Sequence, residues 1–390
     1  MDFRPAEPAP VTPLATVSGP SEGAAEPAIP PAVAARIAGA VESSQSAGTR
    51  RAYGSGWRRF TEWCALNGHV ALPAHPVTVA AYLVDAADTV TAVGEKEYAA
   101  STLSAWLAAL NYYHRTAGYP PPSAHELVAA TLAGIRRDYA AAGDRPRAQR
   151  APLLVSDIRH LVDTARFQCG GWADDVLERR DTALLLLGFA GAFRRSELAD
   201  LECRDVTLHR EDGLHIRLRK TKTDQEGRGV VRALPATDSH TTCPPCAYVR
   251  WVQVVSAFDA GGRLSVIRLL RGRDPFDEHV CRGGVPRTAA RAPLFRAIAK
   301  NGNLGITPLS GAAIHKTIRR RAERANYDAD LVAQLGGHSL RAGFVTQAFR
   351  NGADAHAIMR QTGHTTPAML ERYAREHAPL MRNAVIEIGL

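Results

Sequence analysis

The sequence predicts a mainly α-helical protein of two domains, the second of which carries a small antiparallel β-sheet. A chain of 390 residues is long enough to bury two separate cores. Apolar residues recur at helical spacing through most of the chain. Within residues 206–234, by contrast, apolar and polar residues alternate between turn-forming segments, which is typical of short strands.

Changes in composition predict the domain boundaries. Residues 1–30 are rich in Pro, Ala and Glu and have no helical or strand period, so we expect a disordered tail. Residues 31–143 predict a helical domain. A stretch containing Pro and Arg, 144–152, predicts an exposed linker, and the second domain then occupies residues 153–390.

Within the first domain, periodicity predicts helices at 76–88, 101–117 and 123–142. Two apolar stripes mark the faces that we expect to be buried. They are formed by Tyr53, Trp57, Phe60 and Cys64, and by Leu103, Leu107, Leu110 and His114. The aromatic stripe could instead stack on nucleic-acid bases, but core packing is the favoured interpretation.

In the second domain we predict a buried helix at 182–193 and strands at 206–210, 214–219 and 228–234. Leu214, Ile216 and Leu218 alternate with polar residues, so one face of this sheet should be buried. Residues 257–293 give mixed signals. They predict a loop insertion of unknown role, with a helical turn or two around 264–270.

The charge balance favours a polyanionic partner. The formal net charge is +9, and the 48 Lys and Arg residues are spread along the chain rather than gathered in a tail. Nucleic acid suits such a surface, although charge alone would equally fit a solvated basic surface. The amino terminus lacks a signal-peptide pattern, and the longest apolar run, 183–193, is too short to span a bilayer. We therefore expect a cytoplasmic protein without membrane contact.

Six cysteines are too sparse for a disulfide scaffold in a chain of this length. Cys243-Pro-Pro-Cys246, with His240 just upstream, raises the possibility of a zinc site. Four ligands would be needed, and no second CxxC or HxxxH pair lies nearby in the sequence. The favoured interpretation is a turn leading into a helix near Ala247, with no metal and no cofactor.

Several short motifs carry chemistry. Arg194 begins an Arg-x-x-Glu motif that ends at Glu197, and Lys222 lies between two predicted strands. His338 and Arg341 are one helical turn apart, His364 follows a glycine, and Tyr373 comes nine positions later. Any one of these motifs alone would be weak evidence. Their order and spacing resemble those of the tyrosine recombinase (phage integrase) family, over about residues 45–390.

The resemblance implies a role for each residue in cleaving a DNA phosphodiester without metal or ATP. Tyr373 would attack the phosphorus to give a 3′-phosphotyrosine, with strand exchange through a Holliday junction. The other implied catalytic residues are Arg194, Arg341 and His364 around the phosphate, His338 as proton acceptor and Lys222 as general acid. The family pattern selects Arg194 over its neighbour Arg195, makes Glu197 an orienting residue, and leaves Lys220 as a local rival of Lys222.

The family fold is a two-domain clamp around duplex DNA, with a helical, SAM-like core-binding domain and an α-rich catalytic domain. The exposed arginines of the first domain are the expected phosphate contacts, and a basic helix of the second could enter the major groove. These candidates are Arg50, Arg51 and Arg58, and Lys316, Arg319 and Arg320. A plain solvated basic face is about equally plausible for each member of the second group.

The expected partner is double-stranded DNA at a specific core site, which would make the protein nucleoid-associated when bound. An apolar carboxy-terminal tail follows Tyr373, and in the family such a segment docks on a neighbouring subunit of a tetramer; docking on its own domain is the alternative. The free protein would then be a monomer. A catalytically silent DNA-binding protein and a type IB topoisomerase are the competing functions. Integration, excision and resolution of dimers share this chemistry and stay open.

Overall fold

The computed structural model of the protein describes residues 29–144, 150–221, 229–272 and 278–370, which fall into two compact units that meet in sequence at 148–149. Within these ranges the architecture is mainly helical with a small antiparallel sheet, as predicted. None of the described helices is long and apolar enough to cross a membrane.

The described part of the first unit contains five α-helices. They are α1 (Pro31–Ser43), α2 (Ala47–Leu66), α3 (Pro76–Asp88), α4 (Ala100–Thr116) and α5 (Glu126–Ala142). The predicted helix at 76–88 is confirmed, and α4 differs from its prediction by one residue at each end. The helix predicted from residue 123 begins instead at Glu126, because His125 caps it by accepting a hydrogen bond from the Leu127 amide.

Both predicted apolar stripes contribute to the core of the first unit, except for Tyr53, which is half-buried beside Tyr112. Phe60, Leu103 and Leu110 are fully buried. Trp57 stacks on Tyr113, with 4.6 Å between ring centroids, and packs against the same core. The favoured interpretation of the aromatic stripe as a packing face is therefore confirmed.

The second unit is built around the long buried helix α7 (Trp172–Ala190), which follows α6 (Val155–Phe167). The prediction of a helix at 182–193 was wrong at both ends. The helix begins ten residues earlier, where Asp174 and Asp175 occupy its first turn. It ends at Ala190 because Ala192 adopts a left-handed backbone conformation, with φ of 46°.

Three antiparallel strands follow the short helix α8 (Arg195–Ala199), in the order β1 (Val206–His209), β2 (Gly213–Leu218) and β3 (Val230–Leu234). Leu214, Ile216 and Leu218 are buried, so the predicted alternation is confirmed. A second sheet, formed by β4 (Arg296–Ile298) and β5 (Leu304–Pro308), was not predicted. These strands are short and lie among many polar residues, which hides their period.

Helix α9 (Pro244–Arg271) occupies much of the segment that the sequence predicted to be a loop. It starts at Pro244 rather than near Ala247 because proline fits the first helical position. Gly261 and Gly262 kink it, and the helical path then continues. The fully buried Val266 explains why the helix persists beyond the kink, since the chain there packs on the core.

Four further helices lie in the described part of the second unit: α10 (Gly311–Arg324), α11 (Ala329–Gln334), α12 (Ser339–Arg350) and α13 (Ala355–Thr362). A buried carboxylate joins α10 to α7. Asp181 is fully buried and accepts hydrogen bonds from Arg180, Arg320 and Arg321 at 2.7–3.0 Å. Burial alone would raise the pKa of Asp181, but the three guanidiniums lower it. The carboxylate therefore stays ionised and fixes the position of α10.

Candidate active site

Arg194 is held by the motif that the sequence singled out. It lies directly before α8, and its backbone amide donates to Glu197 Oε2 at 2.8 Å. Its guanidinium donates to Glu197 Oε1 at 2.7 Å. The buried Glu197 thus fixes both the main chain and the side chain of Arg194, whereas Arg195 is exposed. The three-residue spacing of Arg-x-x-Glu is what makes this double contact possible.

Arg341 is buried in the first turn of α12, and its guanidinium contacts the turn that precedes Arg194. Its Nη1 donates to the carbonyl of Ala192 at 2.8 Å. Its Nη2 lies 3.1 Å from Nε2 of His364. The strained left-handed conformation of Ala192 directs this carbonyl at the guanidinium, so Arg341 is placed beside the segment that leads to Arg194.

His364 lies just after Gly363, the left-handed residue that ends α13. Its Nδ1 is 2.9 Å from the hydroxyl of Thr362, which donates in turn to the Ile358 carbonyl at 2.8 Å. Burial, the charges of Arg341 and Arg194, and weaker effects of His338 and Arg232 lower the pKa of His364 to about 4. The imidazole is therefore neutral at physiological pH.

His338 precedes α12 directly, and its ring is exposed at the surface of the site. Loss of hydration and the charges of Arg341 and Arg194 lower its pKa. Because the ring is solvent-accessible, the effect of lost hydration is small, and repulsion by the two guanidiniums is the main cause. A neutral imidazole beside two cations can accept a proton.

Arg232 was missed by the sequence analysis. It is buried on β3, and its guanidinium donates to the carbonyls of Gly191 and Ala192 at 2.5 and 3.3 Å and to that of Thr362 at 3.0 Å. It also lies 3.9 Å from Glu197 Oε2. Burial lowers its pKa to about 10, against the effect of Glu197, so it stays charged.

The position of Arg232 in its strand was the available signal. On β3 the buried side chains alternate, and Arg232 has the same parity as Leu234. A charged residue at an inward position needs a buried partner, which marks it as a structural or functional group. The contacts of Arg232 tie together the segments that carry Arg194 and His364.

Two predicted catalytic residues, Lys222 and Tyr373, lie outside the described residues. The rival Lys220 is described and is exposed beyond the end of β2. The chain is helical from Pro367, where the Thr-Pro pair predicted a helix start, to the last described residue, Leu370. Leu370 is fully buried against Val345 and Ile358, and this contact anchors the segment three residues before Tyr373 in the sequence.

The candidate DNA contacts differ in their surroundings. Arg51, Arg58 and Lys316 are exposed, and Arg50 is half-buried. Arg319 donates to the carbonyls of Ala333 and Leu335, and Arg320 binds Asp181, as described above. The last two guanidiniums thus already serve contacts within the protein, which leaves Lys316 as the most accessible cation of the three on α10.

The arrangement is suited to binding and attacking a phosphate. Arg194, His338, Arg341 and His364 come from three separate segments, since His338 and Arg341 both lie at the start of α12, and the charges of both arginines act on both imidazoles. Guanidiniums bind the non-bridging oxygens of a phosphate, and imidazoles exchange protons with the reacting groups. Among the described residues, the group that could hold a metal ion contains none of these side chains.

Comparison with known proteins gives consistent results. Residues 307–378 match the model of the phage integrase family. The chain is 30% identical over 348 residues to the integrase/recombinase xerD homolog of Selenomonas ruminantium, covering 88% of this chain and 86% of that protein. It is 25% identical over 323 residues to the recombinase cre of Escherichia phage P1, covering 82% and 81%.

A solved structure of the Tn1549 transposon integrase in complex with transposon right-end DNA is also similar. It is 16% identical, with a TM-score of 0.48, over 84% of this chain and 89% of the other. At so low a TM-score, the structural similarity does not by itself establish a relationship. The relationship therefore rests on the two sequence relatives and the family model.

Proposed function

Since this chain belongs to the phage integrase family of tyrosine recombinases, we propose that it recombines DNA at specific sites through covalent attack by Tyr373. Recombinases of this kind break and rejoin DNA. The observation that supports the assignment of residues is the convergence of Arg194, Arg341, His338 and His364. Glu197 holds Arg194, and Arg232 binds carbonyls in the segments next to Arg194 and His364.

In the proposed first step, the Tyr373 oxygen forms a bond to the scissile phosphorus while the bond to the 5′ oxygen breaks. His338 is neutral and next to two guanidiniums, so it suits the role of acceptor for the phenol proton. An unperturbed tyrosine has a pKa of about 10, so this assistance is needed at neutral pH. The product is a 3′-phosphotyrosine and a 5′-hydroxyl.

Charge develops on the non-bridging oxygens as the phosphorus becomes five-coordinate. Arg194 and Arg341 present fixed donors to these oxygens, and such preorganised charge is a large contribution to catalysis. In the free protein Arg341 donates to Ala192 and faces His364. We propose that the arriving phosphate accepts hydrogen bonds that Arg341 makes within the free protein. The negative charge of the phosphate also raises the pKa of His364, so that the protonated imidazole can donate a hydrogen bond to the phosphate.

Lys222 is the proposed acid for the departing 5′ oxygen, and the reverse reaction uses the same groups. A 5′-hydroxyl from a second DNA attacks the phosphotyrosine, reforms a phosphodiester and frees Tyr373. The bond energy is kept in the phosphotyrosine, so the cycle needs neither ATP nor a metal ion at the phosphate. Two rounds of exchange, with a Holliday junction between them, recombine two duplexes.

The proposed partner is double-stranded DNA at a specific core site, bound from one side by the first helical unit through Arg50, Arg51 and Arg58. Lys316 supports a second contact because it is exposed on α10. We propose a homotetramer on DNA, assembled through the carboxy-terminal tail. That tail, and with it the interface, belongs to residues 371–390, which lie outside the described part of the chain.

The experiment is a covalent trapping assay. A recombination site is selected from random duplexes by binding, and a nick is placed just to the 3′ side of the scissile phosphate, so that the short fragment carrying the new 5′-hydroxyl diffuses away after cleavage. The wild-type protein, Tyr373→Phe and the control Tyr119→Phe, which alters an exposed tyrosine of the first unit, are incubated with it in chelator. Denaturing electrophoresis then separates protein–DNA adducts.

We expect an adduct from the wild-type protein and from Tyr119→Phe, and none from Tyr373→Phe. An adduct from Tyr373→Phe would show that another residue is the nucleophile. Absence of an adduct from every protein, with DNA binding intact, would favour the catalytically silent DNA-binding function. Relaxation of a supercoiled plasmid by the monomer without exchange between two sites would favour a topoisomerase.

A further inference from the structure

Three cysteines and one histidine form a compact group in the second unit, outside the active site. Cys243 and Cys246 flank the start of α9, and His279 and Cys281 come from the segment that returns after the end of α9. One ligand atom from each of the four, three sulfurs and one nitrogen, lies within 4.8 Å of all the others. All three cysteines are buried, and none forms a disulfide.

The spacing of these atoms matches a tetrahedral metal site. Cys246 Sγ is 3.3 Å and Cys281 Sγ 3.8 Å from His279 Nδ1, and Cys243 Sγ is 4.0 Å from Cys281 Sγ. Zinc–sulfur and zinc–nitrogen bonds of ordinary length place the ligand atoms of a tetrahedron about 3.5–3.8 Å apart. The group therefore needs adjustments of only a few tenths of an ångström at these three edges.

The histidine is oriented as a metal ligand is. Its Nε2 lies 3.2 Å from the carbonyl oxygen of Asp238, which can only accept a hydrogen bond. Nε2 therefore carries the proton, and Nδ1 keeps its lone pair directed at the sulfurs. Such a contact from the second ring nitrogen to a backbone carbonyl fixes the tautomer and the ring plane in metal sites.

Helical elements hold both pairs of ligands in place. Pro244 and Pro245 set the first turn of α9, which places Cys243 at its amino-terminal cap and Cys246 one turn later. The short helical turn Val280–Arg282 carries Cys281. The buried Arg250 of α9 donates to the carbonyl of Glu278, next to His279, at 3.4 Å. Each pair thus sits on a defined element.

We propose that Cys243, Cys246, His279 and Cys281 bind one structural Zn²⁺, which fastens the segment following α9 to the beginning of that helix. The ligand set of three sulfurs and one imidazole nitrogen, all four positions supplied by the protein, is that of a closed structural zinc site. Binding displaces the protons of three thiols, so the complex carries one net negative charge.

The proposed site gives a role to the segment that the sequence left unexplained. Cys246 and His279 are 33 residues apart in sequence, and a bound ion would close the intervening chain into a loop. An ion that binds the folded form and not the unfolded chain stabilises the folded state. The ion takes no part in DNA cleavage.

The first measurement is the metal content of the full-length protein, purified in reductant without chelator. We expect about one zinc per chain for the wild type, as a single four-ligand site requires. Cys243→Ser, Cys281→Ser and His279→Ala should each lose most of it. The matched controls are Cys203→Ser, which alters an equally buried cysteine outside the group, and His240→Ala, which alters the histidine nearest the CxxC pair in sequence.

A second measurement identifies the ligand atoms by spectroscopy of the wild-type protein. Zinc is removed from the wild type and Co²⁺ is added under reducing conditions. We expect a sulfur-to-cobalt charge-transfer band together with intense visible bands of tetrahedral cobalt, and one equivalent of Zn²⁺ should abolish both. Chelation should also lower the Tm of the wild type by about 5–10 °C and leave that of His279→Ala unchanged.

Two results would overturn the proposal. One is a wild-type protein that contains no zinc and gives no thiolate–cobalt spectrum, which would make the group a set of reduced core thiols. The other is zinc that persists in Cys281→Ser but is lost from His240→Ala, which would place the ion elsewhere. Because neither readout involves DNA, failure here leaves the recombinase assignment untouched.

Discussion

Arg341 and His364 face each other across the site, with 3.1 Å between Nη2 of the guanidinium and Nε2 of the imidazole. A guanidinium only donates, so Nε2 accepts and the ring proton must reside on Nδ1. The Nδ1–H group donates to the hydroxyl of Thr362, which in turn donates to the carbonyl of Ile358. The chain of donors thus fixes His364 as a neutral, oriented ring before any DNA arrives.

We predict that this neutrality makes folding stability depend on pH. The pKa of His364 is about 4 in the folded protein, against 6.5 as its ordinary value. Below about pH 6.5 the unfolded chain binds a proton that the folded chain does not bind. The contribution of His364 to stability is therefore complete above that pH and is lost as the pH falls toward 4. Between about pH 7 and pH 5 this group should account for a loss of roughly 2 kcal/mol.

Urea unfolding at the two pH values tests the prediction, with His364→Gln as the comparison. Glutamine preserves a polar side chain but cannot titrate, so the variant should lose less stability than the wild type on acidification. Equal losses in the two proteins would show that His364 is not the group responsible.

Arg194 and Arg195 are adjacent, yet only Arg194 is held by Glu197. We predict that Arg194→Lys slows adduct formation by about 100-fold, because lysine keeps the charge but loses the planar fork that binds two oxygens. Arg195→Lys should stay within about twofold of the wild type, since Arg195 is exposed. Single-turnover cleavage of nicked DNA measures both rates, and the reverse order of effects would refute the assignment.

Lys222 and Lys220 can be separated by changing the leaving group. Sulfur at the 5′ bridging position departs without needing a proton, so a DNA with this substitution bypasses a missing general acid. We predict that Lys222→Ala cleaves ordinary DNA poorly and recovers near wild-type rates on the sulfur-containing DNA. Lys220→Ala should show no such selective recovery. Rescue of Lys220→Ala instead would transfer the role to that residue.

Arg232 binds backbone carbonyls from two active-site segments. We predict that Arg232→Met destabilises the protein by about 3 kcal/mol, because it removes the donor to the buried carbonyls of Gly191 and Thr362 and a positive charge near Glu197. Arg217→Met, at an exposed position on the neighbouring strand, should change stability by less than about 0.5 kcal/mol. Denaturant unfolding compares the two, and similar values would mean that the contacts of Arg232 contribute little.

The parts of the site that the sequence could predict are local. Arg-x-x-Glu and His-x-x-Arg each place two side chains one helical turn apart, and Thr-Pro marks a helix start. Contacts between distant segments produce no local sequence motif of this kind. Arg232 meets Thr362 across 130 residues, and its only local sign was a charge at an inward strand position.

Contacts between distant segments also explain why the sequence did not predict the full length of α9 in the second unit. The paired glycines at 261–262 obscured the helical period of α9, although packing against the core carries the helix through the kink. The sequence also contains no sign of which residues lie beside the CxxC pair, because those residues are distant in sequence. His279 lies 33 residues from Cys246 in sequence, and only the return of the chain brings them together.

The most direct test of the central claim is to locate the covalent bond by mass spectrometry. The protein–DNA adduct is digested with nuclease and with a protease that cleaves after glutamate, which releases residues 372–376 with Tyr373 as their one tyrosine. We predict that this peptide carries a nucleotide joined through its 3′ phosphate to the tyrosine oxygen. A nucleotide on any other peptide, or an unmodified 372–376 peptide from purified adduct, would contradict the account.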